Sequence, residues 1–175
     1  LQFNRDSIDG AGMVLYSTVR ACPAGESCPW QNAFWDGVQM VYGAGFASAD
    51  DVVGHELTHG VTEHESNLVY ANQSGAINES MSDIFGELID LTDGAGTDTP
   101  SVRWKMGEDV PGFGALRDMA NPPTFGDPDR MSNFVVLPNT DAGDYGGVHT
   151  NSGIGNKAAF LITDGTPVGS PFNGQ

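Results

Sequence analysis

Residues 50–65, Asp50-Asp51-Val52-Val53-Gly54-His55-Glu56-Leu57-Thr58-His59-Gly60-Val61-Thr62-Glu63-His64-Glu65, read as one amphipathic helix. Ala49-Asp50-Asp51 opens it, with acids at the positive end of the helix dipole. Val52, Val53, Leu57 and Val61 supply an apolar stripe at helical spacing. His55 and His59 stand one turn apart on one face, so both imidazoles can reach one tetrahedral metal ion. Glu56 is turned by about 100° from His55, beside the metal rather than in its ligand set. That is where a base must stand to take a proton from a water held by the metal. The chain has only four histidines in 175 residues, so a chance pairing at this spacing is a weak alternative.

Working outward, the third ligand has to come from another element. A histidine six residues after His59, with a glycine between, would complete the elongated metzincin pattern. Those positions hold Glu65 and Thr62, which excludes that class. A second helix is predicted from Ala76 to Leu91, after Gln73-Ser74-Gly75, with apolar Ile77, Met81, Ile84, Phe85, Leu88 and Leu91 in helical register. It carries Glu79, the better candidate ligand, and Asp83 one turn further on the same face. A carboxylate at Asp83 would accept the free N–H of a metal-bound histidine and fix its tautomer. The plain alternative for both acids is a solvated helix face.

Strands are expected over 11–20 and 38–46, where Met13, Leu15, Val38, Met40 and Tyr42 alternate with other positions. Cys22 and Cys28 lie between them in a loop with Pro23 and Pro29. So close a pair reads as a disulfide, worth roughly 2 kcal/mol in the chain-entropy model, or else as two free thiols. Gly94 and Gly96 break the second helix. Residues 100–148 are rich in Gly, Pro, Asp and Asn, with one short helix expected over Ala115–Ala120. A last helix is predicted over Gly147–Asp164, with Ile154, Ala158, Leu161 and Ile162. No internal repeat or low-complexity tract is visible.

The net charge is −16, from 23 acids against 7 Lys and Arg. A polyanion is a poor partner for nucleic acid or an anionic membrane. The acids serve solubility, or some of them hold calcium. No apolar run approaches the ~20 residues of a membrane span. Leu1 reads as a cut inside a longer chain, with any leader already lost.

His55-Glu-Leu-Thr-His59 followed by Gly75-Ala-Ile-Asn-Glu79-Ser-Met-Ser-Asp83-Ile-Phe-Gly86 closely resembles the thermolysin family. Asn32-Ala33-Phe34-Trp35-Asp36-Gly37, Met40-Val41-Tyr42-Gly43, Gly107-Glu108-Asp109 and Gly147-Val148-His149-Thr150-Asn151-Ser152-Gly153 match it too, in the family's order. The resemblance implies an α+β zincin fold, with a β-rich first lobe, a mainly helical second lobe and the active-site helix between. It implies a secreted, extracellular zinc endopeptidase acting on peptides or proteins. His55, His59 and Glu79 would bind Zn2+, Glu56 would be the general base, and Asp83 and Asn78 would stand behind the ligands. His149 and Tyr70 would stabilise the oxyanion, with Asp144 orienting His149. Asn32 and Ala33 would pair with the substrate backbone, and Arg117 with a substrate carbonyl. Val52, Met106, Val110 and Leu116 would line the pocket for a bulky apolar residue after the scissile bond.

The chain also departs from that pattern. Arg103 stands where the family has an acidic calcium ligand, and Lys105 adds a second cation. One calcium site is therefore expected to be replaced by a cation of the protein, leaving Asp51, Asp90 and Glu108 for one Ca2+. The Val110–Leu116 loop is too short for a further site. Residues 1–65 are expected to close the first lobe and 66–175 to begin the second. Both chain ends look truncated, so the absent N- and C-terminal segments of the same enzyme are possible partners, and the last helix should expose apolar surface. Two rivals remain: an inert zinc-binding fragment, and an aminopeptidase, which lacks a visible clamp for a free amino terminus.

Overall fold

The computed structural model describes residues 4–97 and 99–165; the expected ends at Leu1 and Gln175 lie outside the described residues. Three helices form the frame: α1, Asp50–Glu65; α2, Asn72–Asp93; and α3, Asp144–Thr163. Helix α2 packs against α1 on one side and α3 on the other. Beside α1 lies a small sheet of β1, Ser17–Thr18, β2, Ala33–Trp35, and β3, Met40–Tyr42. Its order is β1-β3-β2, with β1 parallel and β2 antiparallel to β3. A second pair joins β4, Lys105–Met106, to β5, Arg117–Asp118. The architecture is α+β, as expected.

Helix α1 keeps its expected bounds. Its Val52 face buries against Ile8, Met40, Tyr42, Phe46, Ala49, Met106 and Val110, the main apolar core. Two glycines let α1 and α2 approach closely. A Cβ at Gly54 would lie 2.9 Å from Gly86 Cα, and one at Gly86 would collide with the Asp51 carbonyl. This contact lies beside His55 on α1 and two turns beyond Glu79 on α2, so it sets the spacing of the two ligand-bearing faces. Helix α2 starts earlier than expected, at Asn72, where the Ser74 hydroxyl donates to the carbonyls of Val69 and Ala71. It ends at Gly94, whose φ of 77° suits glycine.

The structure settles which face of α2 is buried. Asn78, Glu79, Ser82, Asp83, Glu87 and Asp90 are buried, while Ile77, Met81, Phe85 and Ile89 are exposed. Polar groups go inward because each meets partners across α1, α3 or the β4 loop. The solvated-face alternative for Glu79 and Asp83 is thereby excluded. Ile77 and Met81 of the outward apolar stripe join Ile154, Ala158 and Ile162 of α3 in an open groove of about 450 Å3, in which Ile162 is exposed and Ile154 half-buried.

Three further expectations change. The 11–20 strand shrinks to Ser17–Thr18, and Val14, Leu15 and Tyr16 are exposed; among the described residues β1 pairs on one side only. The 38–46 strand shrinks to Met40–Tyr42, and Val38 is exposed; β2 joins it through a turn in which Asp36 Oδ1 accepts the N–H groups of Val38 and Gln39, both at 2.8 Å. The short helix over Ala115–Ala120 is replaced by β5. Its backbone donors go sideways, Leu116 to the Met106 carbonyl at 2.7 Å and Met119 to that of Trp104 at 2.8 Å. Cys22 and Cys28 form a disulfide.

Candidate active site

His55 and His59 arise from α1, Glu79 and Asp83 from α2, and His149 from α3, so helix packing assembles the site. The two imidazoles turn Nε2 toward each other at 2.8 Å. Glu79, with no exposed surface, brings Oε2 to 3.4 Å from His55 Nε2 and Oε1 to 3.3 Å from His59 Nε2. Both Nδ1 atoms are engaged elsewhere. His55 Nδ1–H donates to Asp83 Oδ1 at 2.8 Å and His59 Nδ1–H to Asn78 Oδ1 at 2.7 Å, with Ser82 Oγ 3.1 Å from the latter nitrogen. Neutral rings with those protons present lone pairs at both Nε2 atoms, toward each other and toward a carboxylate. Such an arrangement is repulsive unless a cation lies among them. Burial lowers the His59 pKa, but the Glu79 carboxylate outweighs it and pushes the value up to about 9, a measure of how strongly this point favours positive charge. A buried Glu79 oxygen without a hydrogen-bond partner fits the same reading. The donor set His, His, carboxylate suits zinc.

Asp83 is the hub behind the ligands. Besides His55, it accepts Arg117 Nε at 2.7 Å and Asn156 Nδ2 at 2.7 Å on Oδ2, and Arg117 Nη2 on Oδ1. Burial alone would raise its pKa; the Arg117 charge and the His55 bond hold it well below the ordinary carboxylate range. Arg117 was expected to meet a substrate carbonyl, and in this structure two of its donors are committed to Asp83.

Glu56 is 5% exposed, and its Oε2 has no hydrogen-bond partner. Burial raises its pKa, against the pull of His55 and His59. Opposite it, Tyr70 donates its hydroxyl to Glu79 Oε1 and lies 3.3 Å from His149 Nε2. Asp144 grips His149 twice, accepting Nδ1–H at 2.6 Å and the backbone N–H at 2.9 Å. Asp144, Tyr145, Gly146 and Gly147 all have positive φ, a tight left-handed path that brings the Asp144 carboxylate back onto the first turn of the regular helix.

A cleft of about 620 Å3 is lined by Asn32, Ala33, His55, Glu56, His59, Tyr70, Asn78, Glu79 and His149. Val52, Met106, Val110, Leu116 and Arg117 are not among the residues that line it; Val52, Met106 and Val110 are buried in the apolar core with Leu116 half-buried against them. Trp35, Asp36 and Glu63 also line the cleft, and sequence reasoning gave them no role. Glu63 stands one turn after His59 on α1, a spacing that could have signalled it.

Of the acids expected to hold calcium, Asp90 and Glu108 come together, while Asp51 lies outside that group although its charge acts on Glu108. The acids that cluster are Asp90, Glu108 and Asp109, with ligand atoms within 4.8 Å of one another. Asp51 instead spends both oxygens on backbone N–H groups, those of Val52 at 2.6 Å and of Gly107. Arg103 forks onto Asp164, with Nε at 2.6 Å and Nη2 at 3.2 Å.

Comparison with known proteins agrees with this geometry. The family description "Thermolysin metallopeptidase, catalytic domain" matches residues 1–63, and "Thermolysin metallopeptidase, alpha-helical domain" matches residues 66–174. A zinc metalloproteinase of Renibacterium salmoninarum is 52% identical over 97% of this chain and 31% of its own length. A thermolysin of Alicyclobacillus acidocaldarius is 48% identical over 92% of this chain and 29% of its own. Among solved structures, the precursor of protealysin from Serratia proteamaculans superposes with a TM-score of 0.68 at 38% identity, over 92% of this chain and 53% of that one. The chain thus spans about 30% of the length of these curated relatives.

Proposed function

The chain belongs to the thermolysin family of metallopeptidases, and on that premise we propose that it carries the catalytic centre of a secreted zinc endopeptidase with the cleft between lobes 1–65 and 66–175. The observation that carries this reading is the convergence of His55 Nε2, His59 Nε2 and the Glu79 carboxylate beside the unpartnered, buried Glu56 Oε2. Zinc held by those three residues supplies Lewis-acid chemistry, polarising a peptide carbonyl and making water a nucleophile near neutral pH. Glu56 takes the proton released as water adds to the carbonyl carbon, then gives it to the leaving amine nitrogen. His149 and Tyr70 offer hydrogen bonds to the carbonyl oxygen as it gains charge, and Asp144 holds the His149 ring for that task. Asp83 and Asn78 fix the ring planes of His55 and His59. Asn32 and Ala33, at the start of edge strand β2, pair with the substrate backbone. Leu116, above the core of Val52, Met106 and Val110, receives the apolar residue after the scissile bond, and the remaining Arg117 donors reach its carbonyl.

Asp90, Glu108 and Asp109 form the best candidate for one calcium ion. The Cys22–Cys28 disulfide supports an oxidising, extracellular setting. The test is cleavage of an end-blocked peptide with Leu after the scissile bond, with and without a zinc chelator, beside Glu56→Gln. Chelator-sensitive internal cleavage that Glu56→Gln abolishes is expected. Bound zinc with no cleavage by the chain would overturn the peptidase reading in favour of an inert metal-binding piece.

A further inference from the structure

Part of the cleft bears charge that the metal chemistry does not use. Asp36 and Glu63 wall one end of the 620 Å3 space with Phe34, Trp35 and Gly37, and among the described residues that line it there is no Lys or Arg. Helix α1 gives the position of this end. Val52 lies one turn before Glu56 and Glu63 one turn after His59, so Glu63 stands about 6 Å along the axis beyond the ligands, opposite the Val52–Leu116 side. An extended peptide advances about 3.3 Å per residue, so that offset corresponds to roughly two residues.

Both carboxylates are fixed in the wall. Glu63 Oε2 accepts Trp35 Nε1–H at 2.7 Å. Asp36 accepts two backbone N–H groups at 2.8 Å and the Gln39 side-chain amide at 3.1 Å. Desolvation would raise the pKa of the exposed Asp36, but those donors lower it below the ordinary carboxylate value. The indole of Trp35, bonded to Glu63 in a wall shared with Asp36, suits a guanidinium, which takes carboxylates on its edge and an aromatic ring on its face. Turn formation accounts for Asp36 alone and helix-surface solvation for Glu63 alone; neither explains why this end of the cleft is lined by two acids and no cation among the described residues. That the cleft takes a ligand rests on a separate observation, the buried and unpartnered Glu56 Oε2 in its wall.

We propose that the Trp35–Asp36–Glu63 end of the cleft recognises an arginine or lysine side chain of the substrate, about two residues before the scissile bond. This rests on the peptidase reading and names its substrate class. The net charge of −16 adds long-range attraction for cationic peptides. Two solvent-exposed ion pairs together give a preference of roughly tenfold for Arg over Gln.

The test uses three labelled peptides that share Leu after the scissile bond and carry Arg, Gln or Glu two residues before it. Their dissociation constants are measured by fluorescence anisotropy on the zinc-loaded Glu56→Gln protein, and their cleavage is measured in parallel on the unsubstituted protein. The Arg peptide is expected to bind roughly tenfold tighter than the Gln peptide, and the Glu peptide weakest. High salt compresses the order, and Glu63→Gln with Asp36→Asn abolishes it. Equal binding of all three with normal cleavage overturns this inference alone. An Arg preference that survives the double substitution also overturns it. Failure of every peptide both to bind and to be cleaved overturns it together with the peptidase reading.

Discussion

Replacing Asp83 by alanine removes the acceptor on which three other side chains depend. The carboxylate has no exposed surface and takes hydrogen bonds from His55, Asn156 and twice from Arg117. Its loss leaves the Arg117 guanidinium, with only 14% of its side chain exposed, without its counter-charge. Breaking a buried ion pair from one side costs about 3–5 kcal/mol. At about 2–4 °C per kcal/mol for a chain of this size, melting should fall by roughly 6–20 °C. His55 also loses the partner that fixes its tautomer, a change that typically weakens metal binding by about 10- to 100-fold. Asp83→Asn keeps the shape but sets an amide N–H against donors from two of those residues, so it should recover only part of the loss. Thermal melts with and without chelator, and a competitive zinc titration, measure the two effects separately. Melting within about 3 °C of the unsubstituted protein, together with unchanged zinc affinity, would refute the role given to Asp83.

Gly86→Ala forces a methyl group onto the Asp51 carbonyl, so α1 and α2 must part. Zinc affinity should fall although no ligand has changed, and an unaltered titration would show that the helix contact does not set the ligand spacing. Tyr70→Phe and His149→Gln should each lower kcat by about 100-fold with little change in zinc content; steady-state kinetics on a blocked peptide decide this, and a loss confined to KM would contradict it. Glu87 has a buried, unpartnered oxygen, and burial with the nearby Glu108 charge pushes its pKa up to about 9. The folded state then binds more protons than the unfolded state above the ordinary glutamate pKa, so stability is present at low pH and declines as pH rises toward about 9. With metal ions chelated, melting temperature should fall between pH 5 and pH 9 in that sense, and Glu87→Gln should flatten the slope; a rising curve refutes the assignment.

Much of the metal site was legible because its geometry is local. The spacing of His55 and His59 becomes a shared direction as soon as a helix forms, and helical geometry is the same in every protein. The glycine at position 94 likewise ended α2 by a backbone preference that needs no neighbour. The depth of the Glu79 face was not legible in the same way. Periodicity on α2 marked an apolar face but not which face is buried; Ile77, Met81, Phe85 and Ile89 are exposed, and Asn78, Glu79, Ser80, Ser82, Asp83, Glu87 and Asp90 are buried. A polar residue is tolerated inside only when distant partners satisfy it, and Arg117, Asn156 and His59 come from elsewhere in the chain.

The amino-acid order by itself determined α1, the pair of imidazoles on it, the base beside them and, through the resemblance of several motifs, the family. Only the tertiary structure decided that β5 stands where a helix was expected, that Asp109 brings a ligand atom within 4.8 Å of those of Asp90 and Glu108, and that Asp36 and Glu63 share a wall with Trp35. Each of those outcomes depends on which backbone or side chain arrives from a remote segment. A hydrogen bond from Met119 to Trp104, or from Gly107 to Asp51, has no signature in the local sequence around either partner.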